Sequence, residues 1–96
     1  MELWYTEQHV KDVRFSIKVD KQLVSVESDF QRIDVFASKQ FGRILALDGL
    51  LMLTEKDEFI YHEMITHVPM AVKTDIKKVL VVGAGDGGVL RELSKY

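Results

Sequence analysis

Gly83, Gly85 and Gly88 stand at the spacing G-x-G-x-x-G, after the apolar run Lys78-Val79-Leu80-Val81-Val82 and before the helix-prone Val89-Leu90-Arg91-Glu92-Leu93. In that setting glycines allow a tight turn, let the backbone approach a ligand closely and permit close packing of helix on strand, which is how a nucleotide site opens. Asp86 is the unusual residue of the turn. Such turns hold anions through backbone N–H groups and a helix N-terminus, and a carboxylate inside the loop opposes that. Two readings stay open: Asp86 caps the following helix, which Asp does well, or it meets a cationic group of the ligand. The second points away from a pyrophosphate and so disfavours a nicotinamide dinucleotide dehydrogenase.

His62, Glu63 and His67 are the other candidates for chemistry. The zinc helix H-E-x-x-H places its histidines four apart on one face, whereas these are five apart, about 140° around a helix of 3.6 residues per turn, so no metal site is read here. His62 is either a helix residue meeting solvent or a loop, or, with Tyr61, a residue facing the ligand cleft, because its helix immediately precedes the glycine turn.

These residues must be positioned by two regions of different character. From about Arg14 to Thr54 the sequence alternates, with Phe15, Ile17 and Val19, then Val24 and Val26, then Ile33 and Val35 on strand faces. Asp48-Gly49, between Ile44–Leu47 and Leu50–Leu53, calls for a type I′ hairpin turn, where both central residues need positive φ. The first half is therefore antiparallel β, and so few hairpins leave little core and exposed edges that pack on another domain or subunit. Thr54-Glu55-Lys56-Asp57 resembles a capping box, Glu58 adds favourable charge to a first helical turn, and Phe59, Ile60, Met64 and Val68 recur at helical spacing. Pro69 ends that helix near Val68 or kinks it into Met70–Val72. The boundaries expected are 1–56 for the β-rich domain and 57–96 for a helix, strand and glycine turn opening an α/β domain. Since an open α/β domain needs several βαβ units and only eight residues follow Gly88, the chain is expected to be a fragment, with the ribose-binding acid, ~20 residues beyond the turn, outside it.

Composition narrows the class. Hydrophobic residues make up 47% and charged residues 29%, with thirteen basic against fifteen acidic side chains and a formal net charge of -2. No basic run marks a nucleic-acid surface. There are no cysteines for disulfides or thiolate metal sites, no signal-peptide pattern at the N-terminus and no apolar stretch of ~20 residues, so a cytoplasmic setting without a membrane span is expected.

Methyltransferase-like folds bind an adenosyl sulfonium compound in such a glycine turn, with an acid two positions before the first glycine; that position is Val81 here. The chain keeps the glycines, lacks that acid and carries one inside the loop. Together with Leu3-Trp4-Tyr5-Thr6-Glu7, Asp29-Phe30-Gln31, Leu47-Asp48-Gly49, the run from Glu55 to Pro69 that contains Tyr61-His62-Glu63, and Val79 to Gly88, the sequence resembles the N-terminal third of bacterial spermidine synthases, the polyamine aminopropyltransferases. One departure is Ala84, where the family usually has glycine and a methyl group is expected to be tolerable.

The resemblance implies an α/β chain: a small antiparallel β domain associated with oligomer assembly, then the opening of a methyltransferase-like domain. It implies transfer of the aminopropyl group of decarboxylated S-adenosylmethionine, a co-substrate with no further cofactor, to putrescine, giving spermidine and 5′-methylthioadenosine. By the same carry-over Gln31, Gly83 and Gly85 contact the nucleoside, Asp86 meets the donor amine, His62 contacts the polyamine, and Tyr61 and Trp4 line the channel with aromatic surface suited to a cation. A carboxylate at Asp86 would attract the decarboxylated donor and repel the carboxylated form. The attacking amine, with a pKa near 10.4 by analogy with Lys, needs a base; in the family this is an aspartate downstream of the glycine turn, so the chain contains no catalytic residue of its own and is expected to be inactive alone. A homo-oligomer, dimer or tetramer, is implied. The alternatives are a small-molecule methyltransferase, which calls for an acid near Val81, and, for the chain itself, a non-catalytic assembly module.

Overall fold

The strands begin earlier than the alternation near Arg14 indicates. In the computed structural model, which describes all of residues 1–96, β1 (Leu3–Val10) pairs antiparallel with β2 (Val13–Val19), Tyr5 opposite Ile17 and Leu3 opposite Val19. The polar residues of β1 hid its period from the sequence reading. Four further strands, β3 (Lys21–Glu27), β4 (Arg32–Ser38), β5 (Gly42–Leu47) and β6 (Leu50–Thr54), form an antiparallel sheet in sequence order. Its last hairpin turns at Asp48 and Gly49, with φ of 53° and 81°, as expected of an Asp-Gly type I′ turn.

Tyr5, Ile17, Val19, Ile44 and Ala46 make the core of this N-terminal unit, Met1–Lys56. Phe36, Phe41 and Leu51 pack against it, and Phe36 lies 5.4 Å from Tyr5 between ring centroids. β1 also ties the two sheets together. The Tyr5 hydroxyl donates to the Gly49 carbonyl at 2.6 Å, and the Glu7 carboxylate accepts the Leu51 N–H at 2.6 Å. Burial, followed by the charges of Glu7 and Asp34, pushes the Tyr5 phenol up to about 12. Phe15, expected to share the face of Ile17 and Val19, is 47% exposed. β3 pairs on one side only and is exposed along its whole length, which is the open edge the short hairpins imply.

The second unit, Asp57–Tyr96, contains α1 (Glu58–Val72) and α2 (Gly88–Leu93). Several expectations need correction here. Thr54 belongs to β6 and Asp57 holds the N-cap position, so Thr54 is not the cap residue of α1. α1 runs through Pro69 to Val72. Its expected apolar face is open, with Phe59, Ile60, Met64 and Val68 all exposed, and the residues it buries are His62 and Thr66. The run 78–82, read as a strand, lies outside both sheets and pairs with no other strand; Leu80 and Val82 are 88% and 89% exposed. A parallel strand acquires its ladder only from a neighbour reached by a long crossover, and these 96 residues supply none. No helix is long and apolar enough to cross a membrane.

Candidate functional site

In the second unit Glu58 and His62 stand one turn apart on α1, and the glycine turn brings Asp86 to the other side of the His62 ring. His62 is 3% exposed. Its Nδ1 contacts the Glu58 carboxylate, and its Nε2 lies 3.2 Å from Asp86 Oδ2. Both ring nitrogens are engaged inside the chain. Tyr61 stays exposed at 63%, its ring edge-on to His62 with centroids 5.4 Å apart.

The glycine turn is shaped by this contact. Gly87, with φ of 79°, is the N-cap of α2, so Asp86 sits one residue outside the cap position expected of it. Its Oδ1 accepts the Gly88 N–H at 3.1 Å, the local turn that a short Asp side chain forms with the backbone two residues on. A Cβ at Gly88 would come within 2.3 Å of the His62 ring. Gly88 is therefore a position where only glycine leaves room for the imidazole from α1. A Cβ at Gly83 or Gly85 meets nothing within 4 Å in this chain, although Gly83 has φ of 89°. Ala84 has φ of 61°, so its methyl group carries a left-handed backbone at a cost of roughly 1–2 kcal/mol. A glycine there would avoid that cost.

Electrostatics fix the surroundings. Arg91 on α2 grips both oxygens of Glu58, Nη1 to Oε1 at 2.9 Å and Nη2 to Oε2 at 3.1 Å. Hydrogen bonds from Arg91 first and His62 second hold the Glu58 carboxyl below the usual carboxylate range. Glu92, whose side chain is only 2% exposed, takes Lys95 at 2.7 Å, Arg91 at 2.8 Å and His67 at 2.8 Å, and in that order they lower it to about 2. Arg91 is raised by Glu58 and then Glu92. The Asp86 side chain remains 30% exposed: a carboxylate placed by the Gly88 N–H and the His62 ring and still open to a cation.

Tyr61, His62, Asp86 and the glycines thus share one unit. Gln31 and Trp4 belong to the N-terminal unit. Gln31 is exposed, in a turn where the Ser28 hydroxyl accepts its N–H at 3.1 Å and donates to its carbonyl at 3.0 Å. Trp4 on β1 is 51% exposed and donates to Glu2 at 3.1 Å. Sequence reasoning gave Glu58 only a helix-dipole role. Its four-residue spacing from His62 was the available signal; nothing in the sequence ties either residue to Arg91, 33 positions from Glu58.

Comparison with known proteins agrees with this architecture. Residues 3–55 match the model of the spermidine synthase tetramerisation domain, and residues 58–96 that of the spermine/spermidine synthase domain. Proteins named polyamine aminopropyltransferase from Lachnoclostridium phytofermentans and Alkaliphilus oremlandii are each 72% identical over all 96 residues, and the chain spans 34% of their length. A crystal structure of spermidine synthase in complex with the transition state analogue AdoDATO superposes with a TM-score of 0.93 at 49% identity, over 98% of this chain and 33% of that one. The spermidine synthase from Thermotoga maritima superposes at 0.92, with the same identity and coverage. A small antiparallel β unit followed by a helix and a glycine turn with Asp86 inside it, matched along both units, places the chain in the spermidine synthase family.

Proposed function

We propose that this chain contributes the N-terminal part of an aminopropyltransferase acting on decarboxylated S-adenosylmethionine and putrescine. The observation that carries the reading is Asp86: a carboxylate inside a nucleotide-type glycine turn, held on one oxygen by the Gly88 N–H and on the other by His62, and still reachable from outside. Each of its oxygens keeps lone-pair capacity for one more donor. The donor's primary ammonium, left without a neighbouring carboxylate once the parent amino acid has been decarboxylated, fits that position. A pyrophosphate would meet repulsion there. The polyamine aminopropyltransferase names of the relatives support the same assignment.

In this reading the putrescine nitrogen, without its extra proton, attacks the carbon beside the sulfonium. A C–N bond forms as the C–S bond breaks; the C–S pair returns to sulfur, giving neutral methylthioadenosine, and the new ammonium loses a proton to a base. We assign that base to no residue of this chain. Gly83 and Gly85 let the nucleoside approach the turn, Tyr61 supplies exposed aromatic surface for a cation, and His62 holds Asp86. The roles the resemblance implies for Gln31, with the nucleoside, and Trp4, along the channel, are kept as part of the proposal, as are a donor that serves as co-substrate without a further cofactor, a cytoplasmic setting, and assembly into a dimer or tetramer through the β unit, in line with the tetramerisation-domain match.

The test uses the protein at the length of its relatives. With donor and putrescine it should form methylthioadenosine and spermidine in equal amounts; methyl transfer, or no turnover, overturns the reading. Asp86→Asn keeps the shape but removes the charge. A hydrogen bond to a charged group contributes about 1.5–3 kcal/mol, so donor affinity should fall roughly ten- to a hundredfold by titration calorimetry, while methylthioadenosine, which lacks the amine, binds as before. Equal losses for both ligands would make Asp86 a structural turn residue.

A further inference from the structure

We propose that Glu58 is a positioning residue for Asp86, acting through His62 and itself held by Arg91. The inference rests on the reading of Asp86 as the donor-amine subsite. Asp86 is fixed from two directions. One is local, the Gly88 N–H on Oδ1. The other is a relay across the second unit: the Arg91 guanidinium grips both oxygens of Glu58, Glu58 contacts His62 Nδ1, and His62 Nε2 reaches Asp86 Oδ2.

The ring is confined as well as bonded. It fills the space where any side chain at Gly88 would begin, 2.3 Å from a built Cβ. Turning it over would replace both nitrogens by carbons and break both carboxylate contacts. Because Nδ1 and Nε2 lie on opposite sides of one rigid ring, fixing the first sets the direction of the second. A planar two-point grip fixes orientation where a single ammonium would not. Glu58 and Arg91 therefore set the angle at which the loop carboxylate is presented, without touching a ligand.

Titration calorimetry on the protein at the length of its relatives, with decarboxylated S-adenosylmethionine and methylthioadenosine as probes, tests the relay. Glu58→Gln should weaken the donor about tenfold, the lower end expected for a charged hydrogen bond lost indirectly, and leave methylthioadenosine within about twofold. In an Asp86→Asn background the same change should cost the donor less than about twofold, because residues in one network are not additive. Arg91→Lys, which keeps the charge and loses the two-point grip, should weaken the donor about threefold with methylthioadenosine again unchanged; it covers the case in which Glu58→Gln fails to fold. Parallel loss of both ligands, multiplying losses in the double variant, or an unchanged donor affinity in either single variant overturns the relay. If the unsubstituted protein binds neither ligand, the reading of the function falls instead.

Discussion

The N-terminal unit buries an apolar cluster together with Asp34, Ser38 and Thr54, whereas every side chain buried in the second unit is polar or charged. In the N-terminal unit the core is Tyr5, Ile17, Val19, Ile44 and Ala46, while in the second unit the buried side chains are His62, Thr66 and Glu92, and Leu80 and Val82 lie open. The cause is the kind of hydrogen bonding each needs. Antiparallel hairpins pair with what is next to them in sequence, so six strands within 54 residues close their own ladders and bury one face. The run 78–82 has the composition of a strand covered on both faces, yet it pairs with nothing in these residues. What organises the second unit is charge: Glu58, Arg91, His62 and Asp86 in one network, with Glu92, His67 and Lys95 joined through Arg91.

The largest effect should separate the units by burial. Ile44→Ala, at a site 1% exposed, should cost about 3–4 kcal/mol in urea unfolding of the 96-residue chain. Leu80→Ala, at a residue equally apolar but 88% exposed, should stay within about 0.5 kcal/mol. Comparable losses would show that 78–82 is packed and would erase the contrast.

An intermediate effect probes the turn. Gly88→Ala places a methyl group against the His62 ring and should destabilise the second unit by about 1–3 kcal/mol, read by amide hydrogen exchange in α1 and α2. Gly85→Ala, with open space around its Cβ, should change little. In a His62→Ala background the cost of Gly88→Ala should largely vanish; persistence would place the glycine's role in the backbone rather than in admitting the ring.

The smallest effect is a pH dependence confined to the charged unit. Glu92 is held at about 2 against an ordinary 4.5, by Lys95 first, then Arg91 and His67. A depressed folded-state value means that its stabilisation is complete above about pH 4.5 and is lost as pH falls towards and through about 2. Hydrogen exchange in α1 and α2 should accelerate across that window, and Glu92→Gln should flatten the response. A profile unchanged by that substitution would remove Glu92 from the network's contribution.

The sequence by itself determined the features that depend on neighbours along the chain. Alternation placed β2, β3 and β4, Asp48-Gly49 demanded a turn with positive φ at both positions, helical spacing placed α1, and the resemblance named the family that both matched domains later supported. Tertiary structure decided whatever depended on a distant partner. β1 was hidden by its polar residues until Tyr5 reached the turn at Gly49 and Glu7 reached β6. Thr54 had the type and spacing of a capping residue, but the sheet claimed it for β6. The strand expected at 78–82 stayed unpaired, because apolar composition states a preference for burial and only a neighbouring strand can satisfy it. The site divides the same way. The glycine spacing and the carboxylate of Asp86 are local and could be read directly, whereas the role of Gly88 and the grip of Arg91 on Glu58 arise from contacts 26 and 33 positions apart, which no periodicity records.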